Sequence, residues 1–407
     1  MALSLRQSLT RVTSSVAYIP QIDGLRALAL LLVVTHHIFA VYLEDSHRLG
    51  TQALPRDWPL ILPRSPLVAW GLHLTFGVQI FFVISGFVLA LPFARGLLDK
   101  GQAPSTRLYL LRRLIRIEPP YLLNMTFCFL LIVLPWGHLL PWSQSLPYIQ
   151  SFVKAFGPHY LATLVYLHGF IFGGASWVNG IAWTLEVEIQ FYLLMPLLAQ
   201  LFRIQHAAAR RLLLVLLMLF SAWLAHWGAS SPRLSLSIVC YLGFFLAGIL
   251  LADIHLHIPR LLRVGAGTSD IVALCSAALL VGVLHWSPSQ AWAEPFLLAA
   301  FFFGAIHGRW TGKLFALPAL TLIGTMCYSA YLYHFFVINL LMPPMVRHIA
   351  STHPLWLDVA LRTVLILPPI LLVSAGMYLL TERPFIVLSH TLTRRWRTSA
   401  VAAAEAS

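Results

Sequence analysis

Two adjacent histidines, His36 and His37, lie in the apolar stretch DGLRALALLLVVTHHIF, and Arg26 stands eleven residues before His37. Eleven residues is close to three helical turns, so Arg26 and His37 share one face, with His37 about 16 Å further along the axis. That depth is near the centre of a bilayer, where an ionisable group is costly and reads by default as functional. An imidazole there can act as a general base, because its proton exchanges near neutral pH. The competing reading is a histidine bonded to a neighbouring helix. Paired histidines below an arginine on one face favour chemistry.

Other polar residues interrupt apolar runs further along. In RLYLLRRLIRIEPPY, Arg112, Arg113 and Arg116 are spaced to line one helical face. Guanidinium forks grip phosphates bidentately, so this face suits a phosphate-bearing ligand as well as an ordinary lipid-headgroup cluster. Pro119 and Pro120 are expected to break the helix there. In GIAWTLEVEIQFYLLMPLL, Glu186 and Glu188 enter an apolar segment, and Glu188 shares a face with Tyr192. An acid so placed suits a proton relay, a hydroxyl binder or an interhelical salt bridge. Gln79, Ser85 and Gly86 in FGVQIFFVISGFVLA read as close-packing residues. His334 with Tyr331, and Glu382 with Arg383, suit structural anchoring at least as well as chemistry.

The elements that carry these residues follow from composition. Of 407 residues 59% are hydrophobic and 10% charged. Soluble domains are about 45–50% apolar and about 25% charged, so the natural solvent of this chain is a bilayer. Spanning helices of roughly 20 apolar residues are expected near 24–43, 67–94, 119–140, 183–202, 212–228, 234–253, 269–286, 292–307, 317–343 and 356–380. The expected fold is an all-α polytopic helical membrane bundle of about ten crossings, with a short or re-entrant helix near 159–173. Residues 1–17 are expected to form a cytoplasmic N-terminal segment, 18–386 the membrane domain and 387–407 a cytoplasmic, disordered tail. The first 20 residues lack a signal-peptide core, so the first apolar segment is expected to be an uncleaved anchor. Cys128, Cys240, Cys275 and Cys327 lie in apolar runs without metal-type spacing and read as buried free thiols.

The net charge of +13 would suit nucleic acid, but its position explains it otherwise. With the N-terminus inside, the Lys and Arg residues divide roughly 20 to 7 in favour of the cytoplasm. A full crossing by 159–173 would invert this asymmetry by moving Arg203, Arg210 and Arg211 outside. Ten crossings in the plasma (inner) membrane, with both termini cytoplasmic, are therefore expected, and no nucleic-acid partner.

Together these segments resemble the acyltransferase 3 family of membrane O-acyltransferases. YIPQIDGLRALALLLVVTHH, GVQIFFVISGF, RRLIRIEPPY, WTLEVEIQFYLLMPL, IGTMCYSAYLYH and YLLTERPF follow in family order from about residue 18 to 386. The resemblance implies transfer of an acyl group, usually acetyl, from cytoplasmic acyl-CoA to a hydroxyl of a carbohydrate or glycolipid acceptor. It implies catalytic roles for His37, Arg26 and Glu188, and CoA binding by Arg113 and Arg116 with Arg112 beside them. His36, Trp183, Tyr192 and His334 are expected to contact the acceptor, and no metal is expected. Relatives often carry Asp where Gln79 stands, and Tyr where His36 stands. Some also carry a C-terminal hydrolase-like domain, so acceptor-side help is expected from another chain. The rival reading is a proton-coupled transporter or flippase, which also uses intramembrane His and Glu. The absence of an evident internal repeat weighs against it.

Overall fold

A computed structural model of the chain describes residues 18–48, 71, 74–99, 103–134, 142–261, 265–286, 292–349, 354–389 and 391–392. The segment 1–17, the tail beyond 392 and charged positions such as Arg56, Arg64, Lys100 and Arg397 lie outside the described residues. The structure is all-α. In chain order come α1 (Pro20–Arg48), α2 (Gly77–Leu98), α3 (Thr106–Val133) and α4 (Trp142–Leu164). The short α5 (His168–Phe172) leads to α6 (Trp183–Leu198), α7 (Ala207–Gly228) and α8 (Ile238–Leu261). Then follow α9 (Ala266–Trp286), α10 (Glu294–His307), and the short α11 (Trp310–Phe315) and α12 (Pro318–Thr325). The described chain ends with α13 (Cys327–His348) and α14 (Leu355–Met377), which runs into a π-helical segment, Tyr378–Glu382, and on as helix to Ser389, so residues 387–389 are helical where a disordered tail was expected.

Among the described residues nine helices are long and apolar enough to cross a membrane, and α10 is a shorter apolar helix of 14 residues. These correspond to the ten expected segments. Helix α7 shows why the solvent must be lipid. Leu212, Leu216, Phe220, Trp223 and Trp227, three or four residues apart, are all more than half exposed, while Arg210 is fully buried. A soluble protein does the reverse. The chain is thus a polytopic all-α integral membrane protein.

By contacts the chain divides into two compact units, and each boundary falls inside a helix or at its end. Of the described residues, the first holds those from 18 to 84 together with those from 258 to 379. Within it α1 packs against α11, α12, α13 and α14, and α9 packs against α10. Glycine permits the closest of these approaches: a methyl on Gly24 would run into the backbone of Phe315, and one on Gly324 into that of Asp23. Arg362 and Asp358 are fully buried; the guanidinium lies 3.4 Å from the carboxylate and 4.1 Å from the Tyr42 ring centre. The Tyr42 hydroxyl donates to the same carboxylate at 3.0 Å. Asp270 accepts from the backbone N–H groups of Arg309, Trp310 and Thr311, and so caps α11.

The second unit holds Ser85–His257 and the residues from Leu380 on. Phe191 of α6 stacks on Phe245 of α8 at 4.0 Å, and Gly86 of α2 sits where any side chain would strike the Phe245 carbonyl. Arg210 and Arg211 of α7 both donate to Asp253 of α8, at 2.7 and 2.6 Å. These two arginines therefore join helices as well as adding to the charge asymmetry.

Three expectations need correction. First, α3 begins at Thr106 and runs unbroken through Pro119 and Pro120, so Arg112, Arg113 and Arg116 belong to the crossing helix itself. Prolines remove two N–H donors, but neighbouring groups in a membrane bundle make good the freed carbonyls. Second, the expected spans leave residues 141–158 as a connection between helices, yet α4 occupies Trp142–Leu164. Stacking of Tyr160 on Phe129 at 4.2 Å and the Thr126–Tyr160 hydrogen bond at 2.9 Å hold it to α3. Third, of the four free cysteines Cys128 and Cys327 are buried, Cys240 is half-buried and Cys275 is exposed. Helix α9 turns an apolar face outward there, with Ile271 and Leu274 also exposed.

Candidate active site

In the first unit α1 carries the two histidines to α13. The His37 ring lies 5.2 Å from His334, 5.1 Å from Phe335 and 5.0 Å from His36, centre to centre. His36 turns away, with its Nδ1 3.1 Å from the Gly71 carbonyl. A carbonyl only accepts, so that nitrogen carries the proton. His334 is fully buried, and its Nδ1 lies 2.6 Å from the Tyr331 carbonyl and 3.2 Å from that of Ala330. Tyr331 in turn meets Phe81 edge-on at 5.9 Å. At the start of α1, Arg26 donates to buried Asp23 at 2.6 Å, and the Tyr18 hydroxyl donates to the other oxygen of Asp23 at 3.0 Å. The Arg26 charge is thus matched within its own helix. Gln79, with its amide nitrogen turned to the Thr75 and Phe76 carbonyls at 3.2 and 3.1 Å, ties down the start of α2.

In the second unit a polar cluster joins α2, α3 and α6. The Ser85 hydroxyl donates to Glu188 at 2.6 Å. Tyr192, one turn beyond Glu188, brings its hydroxyl beside that carboxylate, as the i, i+4 spacing allows. The Arg113 guanidinium lies over the Tyr192 ring at 5.7 Å and within electrostatic reach of Glu188. Arg116 lies 3.9 Å from buried Glu382. Trp183 opens α6 with its ring 5.3 Å from Tyr241. One face of α3 therefore carries cations beside a hydroxyl–carboxylate pair. Sequence spacing identified Arg113, Arg116, Glu188 and Tyr192. It missed Ser85, because a serine among small residues in an apolar helix reads as packing.

Glu186 is separate from this cluster. It is 2% exposed, and one oxygen accepts the Gly169 N–H at 2.9 Å. No side chain of its own caps α5, so Glu186 caps it from α6. Next to it, His159 and His168 bond at 2.8 Å between Nδ1 and Nε2. Among the described residues no three His, Cys, Asp or Glu side chains group so as to hold a metal ion.

Apolar helices that bury histidine, arginine and carboxylate side chains define a polytopic membrane protein equipped for chemistry on polar groups. The acyltransferase domain family (Acyl_transf_3) matches residues 19–379, and the chain belongs to it. Peptidoglycan O-acetyltransferase OatA of Listeria monocytogenes is 23% identical over 363 residues, which cover 80% of this chain and 50% of that protein. A Staphylococcus aureus protein carrying an O-acetyltransferase name is 22% identical over 352 residues, 79% of this chain and 51% of that one. The chain spans about half the length of the curated relatives it matches. No solved structure matches it. Family membership does not favour the transporter reading.

Proposed function

We propose that the chain is a membrane O-acyltransferase. It moves an acetyl group from cytoplasmic acetyl-CoA to a hydroxyl of a carbohydrate-containing acceptor, a cell-surface glycan or glycolipid. The observation that carries this reading is His37, an intramembrane imidazole flanked by His36 and His334 in a chain of the acyltransferase family. His37 acts as general base on the acceptor hydroxyl or carries the acyl group between donor and acceptor. In the first route the hydroxyl oxygen attacks the thioester carbonyl as its proton passes to His37. The C–S bond then breaks and the CoA thiolate leaves, taking up a proton.

Arg113 and Arg116, with Arg112 on the same helix, hold the CoA phosphates through charge-assisted hydrogen bonds. Glu188, itself held by Ser85 and flanked by Tyr192, orients a reacting hydroxyl. Trp183, His36 and Tyr192 are assigned to acceptor binding, as the family resemblance implies. The membrane domain is residues 18–386, in the plasma membrane with both termini cytoplasmic, as the distribution of Lys and Arg supports. The OatA name gives peptidoglycan as one acceptor of the expected kind.

Membranes carrying the wild type or His37→Ala, supplied with radiolabelled acetyl-CoA, test the proposal. Label in surface glycans should fall at least about 100-fold in the variant at equal abundance, the lower end of what a general base contributes. Full label with His37→Ala would overturn it. Arg26→Ala is a poor test, because it leaves Asp23 buried without its cation and confounds activity with folding.

A further inference from the structure

The bonding of His334 fixes more than its position. Both contacts of its Nδ1 are backbone carbonyls, Tyr331 at 2.6 Å and Ala330 at 3.2 Å. Carbonyls accept and never donate, so Nδ1 carries the ring proton. The other nitrogen, Nε2, is buried and has no hydrogen-bond partner. Protonating it as well would bury an unpaired charge, so Nε2 presents a bare lone pair. The residue is a neutral acceptor held in one tautomer, and the nearest imidazole is that of His37.

The two rings are disposed for a bond. Their centres are 5.2 Å apart with a 42° tilt. His159 and His168 lie at 5.1 Å and 38°, and that pair is bonded nitrogen to nitrogen at 2.8 Å. Nearly the same ring geometry thus supports an imidazole–imidazole hydrogen bond elsewhere in this chain. Rotation of the His37 ring about its side-chain bonds is what would bring one N–H to the His334 lone pair across this separation.

We propose that His334 is the positioning residue of His37. Its Nε2 accepts one ring N–H of His37, and this leaves the lone pair on the opposite nitrogen of His37 free for the reaction. The role deepens the His37 reading and rests on it, and it is the same whether His37 takes a proton or carries the acyl group. It differs from the direct acceptor contact expected of His334 from sequence. The logic is that of an acid orienting the histidine of a catalytic triad, with a neutral, tautomer-locked imidazole in place of the acid. No charge needs to be buried at the membrane centre to do it.

Two substitutions separate the nitrogens of His334. His334→Asn keeps a donor near Nδ1 for the Tyr331 carbonyl but offers nothing at Nε2. His334→Gln places an amide oxygen near Nε2 and so keeps the acceptor. In the labelled-transfer assay, at matched abundance and melting temperature, His334→Asn should lose at least about tenfold in kcat, a part of the roughly 100-fold or more that a general base contributes. Its KM for acetyl-CoA should stay unchanged, and His334→Gln should recover part of the loss. Wild-type turnover in His334→Asn would overturn the proposal, as would equal losses in both variants. If His334→Asn does not accumulate, His334→Gln decides alone: substantial turnover supports the role, and loss with an intact fold overturns it. His37→Ala is assayed alongside. An active His37→Ala would sink the reading of His37 itself, whereas an inactive one beside a fully active His334→Asn would sink only the role of His334.

Discussion

Two carboxylates two residues apart, Glu186 and Glu188, have different work, and the difference is testable. Glu188 accepts from Ser85, lies beside the Tyr192 hydroxyl and faces the Arg113 charge. Glu186 caps α5 through the Gly169 N–H. Glu188→Gln keeps an oxygen for Ser85 but removes the negative charge, so acetyl transfer should fall with little change in melting temperature. Glu186→Ala should instead cost about 1 kcal/mol, as loss of a helix cap does, and lower the melting temperature by about 1 °C for a chain of this length while turnover below it persists. Activity of purified variants, read beside scanning fluorimetry, checks both; a Glu186→Ala enzyme that is stable but inactive would reverse the assignment. The i, i+4 step to Tyr192 made Glu188 legible in the sequence. The partner of Glu186 was not legible, because it is a backbone N–H supplied by a separate short helix. The orienting contact of His334 was hidden for a similar reason: the tautomer depends on which carbonyls its ring meets.

Helices of 18 or more apolar residues were legible because bilayer thickness sets their length, and nine of the ten expected spans meet that measure. What escaped was α4, whose packing depends on Tyr160 meeting Phe129 rather than on a run of apolar residues. Helices α4 and α5 are pinned together by the His159–His168 bond, and that bond should make the pair acid-sensitive. Burial holds both imidazoles below their ordinary value of 6.5; at His168 the Gly174 backbone pulls upward and His159 downward. Near and below that pH the unfolded chain binds protons that the folded pair refuses. Stability is therefore unaffected well above 6.5 and declines as pH falls through it toward the lower folded values. Melting temperature between about pH 7.5 and 5.5 should fall more steeply for the wild type than for a His159→Asn, His168→Gln double variant. Equal slopes would mean that the pair does not couple its titration to folding.

For the whole molecule, the membrane orientation turns on α10. At 14 residues it is about 21 Å long, short of the roughly 30 Å hydrocarbon core. A helix that short crosses only where the bilayer thins or its flanks reach out, yet the expected cytoplasmic excess of Lys and Arg depends on its crossing. With the N-terminus inside, an even number of crossings returns Arg309, Lys313 and Arg383 to the cytoplasm, as the positive-inside rule demands. If α10 failed to cross, all three would lie outside, and the direction of α13, which carries His334, would invert. Trp292 and Lys313 flank α10 and are both exposed, so single cysteines there report the two ends. In a variant stripped of Cys128, Cys240, Cys275 and Cys327, an impermeant maleimide applied to intact cells should label Trp292→Cys. It should reach Lys313→Cys only after permeabilisation. Labelling of both from outside would mean that α10 is re-entrant. Arg309 and Lys313 would then lie among the exceptions to the charge rule, and the cytoplasmic assignment of the C-terminus would fall with the tenth crossing.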